Sequence, residues 1–202
     1  GNSKTGAMLQ TYILRDDISP VKALKIGADV SICGDCPLRG NGTGGNRGCY
    51  VNLGQGPLSV FNAFTRGIYP IATNVKALGA GRAVRLGTYG DPAAIPSEIW
   101  RELVSLAAKH TGYSHQWRNR PDLRDLVMAS ADTGEDKVRA WSEGWRTFRL
   151  ADLPSEGEIL CPAYSRGINC IDCGLCDGSG KAKSIVIPAH GAGKKYAMQA
   201  AA

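Results

Sequence analysis

The sequence predicts an α/β fold on a mainly parallel sheet, either a partial (β/α) barrel or an open sheet, with a cysteine-rich C-terminal metal-binding appendage. Three observations predict it. Apolar runs of about five residues alternate with amphipathic stretches of about ten, the rhythm of βα units. The chain has 202 residues, short of the roughly 250 of a closed eight-stranded barrel, so five or six strands are expected. Two stretches are spent on clustered cysteines rather than on strand or helix. The expected division is a core over 1–160 and a four-cysteine appendage with a final strand over 161–202, within one compact unit.

The elements follow in order. Residues 8–14 carry the β-branched and aromatic residues of a strand. Ser19-Pro20 is an N-cap and first helical position for a short turn through Leu24. Residues 28–32 read as a strand running into Cys33. Residues 57–66 read as a helix, with Val60, Phe61 and Phe64 on one side and Gly67 as its stop. Residues 83–89 are a strand ending in Gly90-Asp91-Pro92. Ser97 caps a helix over 98–109 on the spacing of Ile99, Leu103, Leu106 and Ala107. Strands are expected at 113–117, 125–131, 147–151, 158–162 and 184–188, and a helix at 135–143 closed by Gly144. In parallel sheets function collects at the C-terminal strand ends. Here those ends carry Cys33, Tyr89, Asp91, His115, Gln116, Trp117, Ser130, Asp132, Cys161 and His190.

Formal charge is +6, which favours an anionic partner, nucleic acid first. No run approaches the roughly 18 apolar residues of a membrane span, no signal-peptide pattern opens the chain, and a cytoplasmic setting is expected. Seven cysteines cannot all pair, and clustered cysteines in a reducing compartment read as metal or redox sites.

The first cluster is Cys33, Cys36 and Cys49, spaced C-x2-C-x12-C. Its loop holds Gly40, Gly42, Gly44, Gly45 and Gly48, which allow backbone N–H groups to turn toward sulfur or an anion. Arg39 and Arg47 stand ready to balance charge. Three ligands leave an open coordination position. The second cluster is Cys161, Cys170, Cys173 and Cys176, spaced C-x8-C-x2-C-x2-C. Four thiolates close a tetrahedral zinc site or an iron–sulfur cluster, and the C-x2-C-x2-C run begins a bacterial ferredoxin pattern. Zinc remains the alternative there. Asn2 to Gly6 matches no phosphate-loop pattern and reads as a flexible terminus; the segment from His190 to Lys195 reads as a basic tail.

A strand delivering three cysteines on a loop at the mouth of a partial barrel resembles the radical S-adenosylmethionine (SAM) superfamily. Gly90-Asp91-Pro92 is similar to its Gly-Gly-Glu-Pro-like motif. The superfamily's usual spacing is C-x3-C-x2-C, with an aromatic before the last cysteine. Here the spacing differs, and Tyr50 follows Cys49. The resemblance implies a [4Fe–4S] cluster on Cys33, Cys36 and Cys49, with SAM near Gly90 and Asp91 and an electron donor as partner. Gln116, Trp117, Ser130 and Asp132 would line the pocket, and an auxiliary cluster would sit on the other four cysteines. Over nearly its whole length the chain also resembles the phage gene product 88 family. The resemblance is carried by Asn2-Ser3-Lys4-Thr5-Gly6, Cys33-Gly34-Asp35-Cys36-Pro37-Leu38-Arg39-Gly40, Cys49-Tyr50-Val51-Asn52, Arg85-Leu86-Gly87-Thr88-Tyr89-Gly90-Asp91-Pro92 and Gly144-Trp145-Arg146-Thr147-Phe148-Arg149. It implies a phage origin and a host-cytosol setting, and brings no established activity.

The expected function is an iron–sulfur enzyme acting on a nucleic acid or nucleotide, with His115 and Asp132 as catalytic candidates. A non-catalytic, metal-stabilised nucleic-acid-binding or regulatory protein is the alternative. In it Arg118, Arg120, Arg124, Lys181, Lys183, Lys194 and Lys195 would meet phosphates, and Trp117, Trp141, Trp145 and Tyr164 would stack bases. A zinc hydrolase or transglycosylase-like barrel, with Asp91 or Asp132 as base, lacks the usual H-E-x-x-H or H-x-E…C-x-x-C patterns.

Overall fold

The structure is a computed structural model and describes residues 4–180 and 182–200. Asn2, Ser3 and Lys181, named above, lie outside them. Seven strands form one all-parallel open sheet: β1 (Leu9–Tyr12), β2 (Ala83–Tyr89), β3 (Lys109–Ser114), β4 (Met128–Ala131), β5 (Thr147–Leu150), β6 (Glu158–Leu160) and β7 (Ser184–Ile187). Their order is β1-β2-β3-β4-β5-β7-β6. Parallel crossovers are right-handed, so an order that does not reverse from β1 to β5 sends successive connections over the same face. That is the winding of a barrel, left open between β1 and β6.

The helices are α1 (Pro20–Lys25), α2 (Val30–Cys33), α3 (Gly56–Thr65), α4 (Val75–Gly79), α5 (Ser97–Val104), α6 (Gly134–Ser142), α7 (Pro162–Ser165), α8 (Cys170–Cys173) and α9 (Lys194–Ala200). Val84, Leu86 and Ala129 on one sheet face pack in a core with Trp100, Leu103, Trp117, Leu123 and Trp145. The register places Arg85 beside Thr111, Tyr113 beside Met128, Ser130 beside Phe148, and Phe148 beside Ile185. These residues form the opposite face. Met128, Ile185 and Ile187 there pack with Cys161, Leu175 and Cys176. The four-cysteine segment therefore covers the second sheet face. The strand that follows it, β7, sits between β5 and β6.

Several boundaries differ from expectation for local reasons. Residues 28–32 are not a strand: Val30–Cys33 is one helical turn, held by Cys33 N–H donating to the Asp29 carbonyl at 2.9 Å. The helix at 97 ends at Val104, because Ala108 N–H is taken by the Arg82 carbonyl at 2.9 Å and the chain joins the sheet. The third strand starts there and stops at Ser114; Trp117–Asn119 is a 3-10 turn. Leu126 and Val127 bond back to the Leu123 carbonyl, so β4 begins only at Met128. The expected basic tail ends in α9.

Candidate functional site

All three cysteines of the first cluster lie in the β1-to-β2 crossover, at the C-terminal end of the sheet. Asp29, buried, receives Arg39 through two bonds of 2.6 and 3.1 Å, while Arg39 also donates to the Gly34 and Gly27 carbonyls. One guanidinium thus clamps both sides of Cys33. Gly34, between Cys33 and Asp35, has φ +60° and ψ −141°, a region that side chains other than glycine's rarely enter. Cys49 is fixed by its N–H on the Leu38 carbonyl at 2.9 Å and by Arg47, which donates to the Cys49 and Val51 carbonyls. None of the seven cysteines is in a disulfide. Burial raises the Cys33 and Cys49 thiols, and for Cys33 the neighbouring Cys36, Asp29 and Cys49 add to it.

A cavity of about 150 Å³ opens beside these thiols, and Asp91, His115, Ser130 and Asp132 share its wall with Cys33, Cys36 and Cys49. Of the residues expected to surround the first cluster, all but Gln116 and Trp117 are brought together there. Gln116 instead donates to the Asp35 carboxylate at 2.6 Å, steadying the cysteine loop from outside. His115 Nε2 lies 3.3 Å from Asp132 Oδ1. Burial favours the neutral ring, but Cys36 and Asp132 outweigh it and raise the His115 pKa well above the ordinary value. Asp91 accepts from Ala93 N–H at 2.9 Å, Ser114 Oγ at 2.6 Å and His115 N–H at 2.8 Å. Those bonds tie the ends of β2 and β3 together and leave the carboxylate about one acceptor position. Gly90 has φ +82°, and a Cβ there would meet Ile13 Cβ at 2.6 Å, so packing against the end of β1 already demands this glycine.

The other four cysteines lie in the connection from β6 to β7. Cys161 follows β6, its N–H on the Val186 carbonyl. Cys170 and Cys173 bracket α8. The Cys176 carbonyl accepts from Gly112 N–H in β3 at 2.9 Å. Burial pushes the Cys176 thiol up to about 12, with Tyr113 opposing and Cys161 and Cys170 adding to the rise.

A second cavity, of about 470 Å³, lies between the two groups. It shares Tyr50, Arg85, Tyr113 and Phe148 with the first and reaches Cys161 and Cys170. Three of its residues were dismissed or missed in the sequence. Lys4 is no loose terminus: its carbonyl accepts from Cys170 N–H at 3.0 Å, and its Nζ lies 2.8 Å from His190 Nε2. His190 stacks on Tyr50 with centroids 5.5 Å apart. Arg85 is only 8% exposed in mid-strand. Parallel strands are covered on both faces and are normally apolar throughout, so a charge between Val84 and Leu86 was the available signal.

Other expectations fail. Trp117 is fully buried against Trp145, with Nε1 donating to the Ser130 carbonyl, and Trp145 is buried too. Neither can stack a base. Trp141 spends its Nε1 on Thr147 and Ser184. Arg118 pairs with Asp136, Arg120 with Asp122, and Arg124 donates to the Glu143 carbonyl. Arg118 and Arg120, two members of the expected basic surface, are thus paired with carboxylates.

Among the described residues no group of three or more His, Cys, Asp or Glu converges at the spacing of a bound ion. The first site still suits a thiolate-held group by its chemistry. Tyr89 Oη is buried there without a hydrogen-bond partner, near Cys33, Cys49 and Arg47. An unsatisfied buried hydroxyl costs about 1–3 kcal/mol, and it is a donor suited to sulfur or an anion. Among the described residues no helix is long and apolar enough to cross a membrane. The chain matches no family model, no curated protein and no solved structure.

Proposed function

We propose that this chain is a small iron–sulfur enzyme of radical-SAM type. Cys33, Cys36 and Cys49 would hold an open [4Fe–4S] cluster, and Cys161, Cys170, Cys173 and Cys176 a closed second one. The observation that carries this reading is the first cavity. Three thiols, the three guanidinium-bearing residues Arg39, Arg47 and Arg85, and the unpartnered Tyr89 hydroxyl meet at the C-terminal ends of parallel strands, where such sheets place their chemistry.

A cluster of this kind, with SAM, would supply one-electron reducing chemistry. The chain's own residues do the rest. Arg39 and Arg47 lie against the loop and offset the charge of deprotonated thiols. The Tyr89 hydroxyl, unpartnered here, would donate a hydrogen bond to cluster sulfur. His115, between Cys36 and Asp132, holds a proton at the pocket wall, and Asp91 keeps β2 and β3 together while retaining one acceptor for a ligand. The substrate is a nucleotide-sized molecule rather than a nucleic-acid strand, a choice supported by the pairing of Arg118 and Arg120 with Asp136 and Asp122. A phage setting is part of the proposal and rests on the sequence likeness to the gene product 88 family alone.

Anaerobic purification, with iron, sulfide and zinc analysis and an ultraviolet–visible spectrum, tests the reading. Iron and sulfide with broad absorption near ~400 nm are expected. Cys49→Ala should then remove part of the iron and leave the second cluster. Zinc in both sites, with no such absorption, overturns it.

A further inference from the structure

The larger cavity has a chemistry of its own. Arg85 sits on its floor, 8% exposed. Its guanidinium lies over the Tyr113 ring, 5.0 Å from the centroid. Among the described residues no Asp or Glu pairs with it, and the Tyr113 ring is its neighbour. A buried guanidinium without a carboxylate is costly, because an isolated charge loses its hydration. Lys4 and His190 line the same space, and among the described residues no carboxylate-bearing residue does. Beside the cations, Tyr50, Tyr113 and Phe148 present aromatic surface, with Tyr113 and Phe148 4.3 Å apart by ring centroids. The volume, about 470 Å³, lies within the roughly 300–1,000 Å³ of ordinary small-molecule pockets.

We infer that this cavity binds a small organic anion, its phosphate or carboxylate group held by the fork of Arg85 with Lys4 and its planar body against the Tyr113–Phe148 pair. Guanidinium matches either group with two parallel hydrogen bonds. Aromatic walls with a few converging polar groups are the ordinary build of a ligand site. The site does not need the cysteines to hold iron, so it can stand or fall separately from the function proposed above.

Calorimetric titration of the full chain as isolated tests it. The probes are adenosine monophosphate against adenosine, and benzoate against benzamide. At least one anion should bind about tenfold or more tighter than its neutral counterpart, and the pair that discriminates tells phosphate from carboxylate. Arg85→Met should weaken that anion by about tenfold to a hundredfold. Arg85→Lys, which keeps the charge and loses the fork, should fall between, at unchanged metal content. The inference is overturned if neither pair discriminates at millimolar concentration, or if the variants bind like the parent. It is equally overturned if both variants shed bound metal in step with affinity, since Arg85 would then be a counter-charge to the thiols. Should both variants fail to fold, the comparison of anion with neutral probe on the unmodified protein decides alone.

Discussion

Glu158 holds the start of the strand that delivers Cys161, and its worth can be worked from its contacts. Its side chain is fully buried. Arg149 donates to it through Nε at 2.9 Å and Nη2 at 2.6 Å, and Ser155 donates through both N–H, at 2.9 Å, and Oγ, at 2.7 Å. Burial pushes the carboxyl up, but Arg149 and Ser155 outweigh it and hold the pKa at about 2, against an ordinary value of 4.5. A folded-state pKa below the unfolded one means the unfolded chain binds more protons as pH falls. The stabilisation is complete above about pH 4.5 and is lost as pH drops toward 2. The difference corresponds to about 3 kcal/mol at neutral pH. Glu158→Gln should therefore lower unfolding free energy in urea by about that amount at pH 7. The gap between variant and parent should close as pH is taken from 5 to 2 (the window set by the two pKa values). A gap of the same size at both ends of that range would refute the reasoning. The loss would then belong to packing or to hydrogen bonds that the amide also breaks, and not to the ionised carboxylate.

Two further outcomes concern the three-cysteine loop. Gly34→Ala puts a Cβ 2.4 Å from Gln116 Cδ in a backbone region reserved for glycine; it should cost about 1–3 kcal/mol and, on the proposed reading, lower the metal content of the first site, and an unchanged urea midpoint would show that the turn tolerates a side chain. Tyr89→Phe removes a buried hydroxyl that lacks a partner, so the metal-free protein should hold its stability or gain about 1 kcal/mol, while the loaded protein should lose its cluster faster to a chelator; a less stable metal-free variant would mean the hydroxyl is already bonded.

The sheet was legible because strand bodies such as Val84-Arg85-Leu86 and Ile185-Val186-Ile187 carry β-branched and apolar residues between clear turns. The cavity wall was partly legible for the same reason: once the strands are placed, their ends follow. What failed depends on contacts far apart in the chain. Val30 and Ile32 favour a strand by propensity, yet Asp29 and Arg39, ten positions apart, wind that stretch into a turn. Trp117 was taken for a ligand-facing aromatic, and only the burial of the whole helix layer shows it to be core. Lys4 and His190 looked like loose ends because nothing local announces a contact across 186 positions.

The same geometry explains why the four cysteines stand where they do. A sheet wound in one direction places its helices on one face and leaves the other apolar face, with Met128, Ile185 and Ile187, to be covered by something else. The segment between Cys161 and Ser184 covers it, but within that stretch only Pro162 and Gly178 are buried among the described residues. Two one-turn helices, α7 and α8, are its only regular structure there. So little buried apolar surface cannot offset the roughly 1–2 kcal/mol per residue that ordering a chain costs. On the proposed reading the deficit is met by the thiols, because metal binding to a site that exists only in the folded state contributes directly to folding free energy. The second cysteine group then has a structural task that the first does not share. The three-cysteine loop is already clamped by Arg39, Arg47 and Asp29, and it is free to leave a coordination position for chemistry.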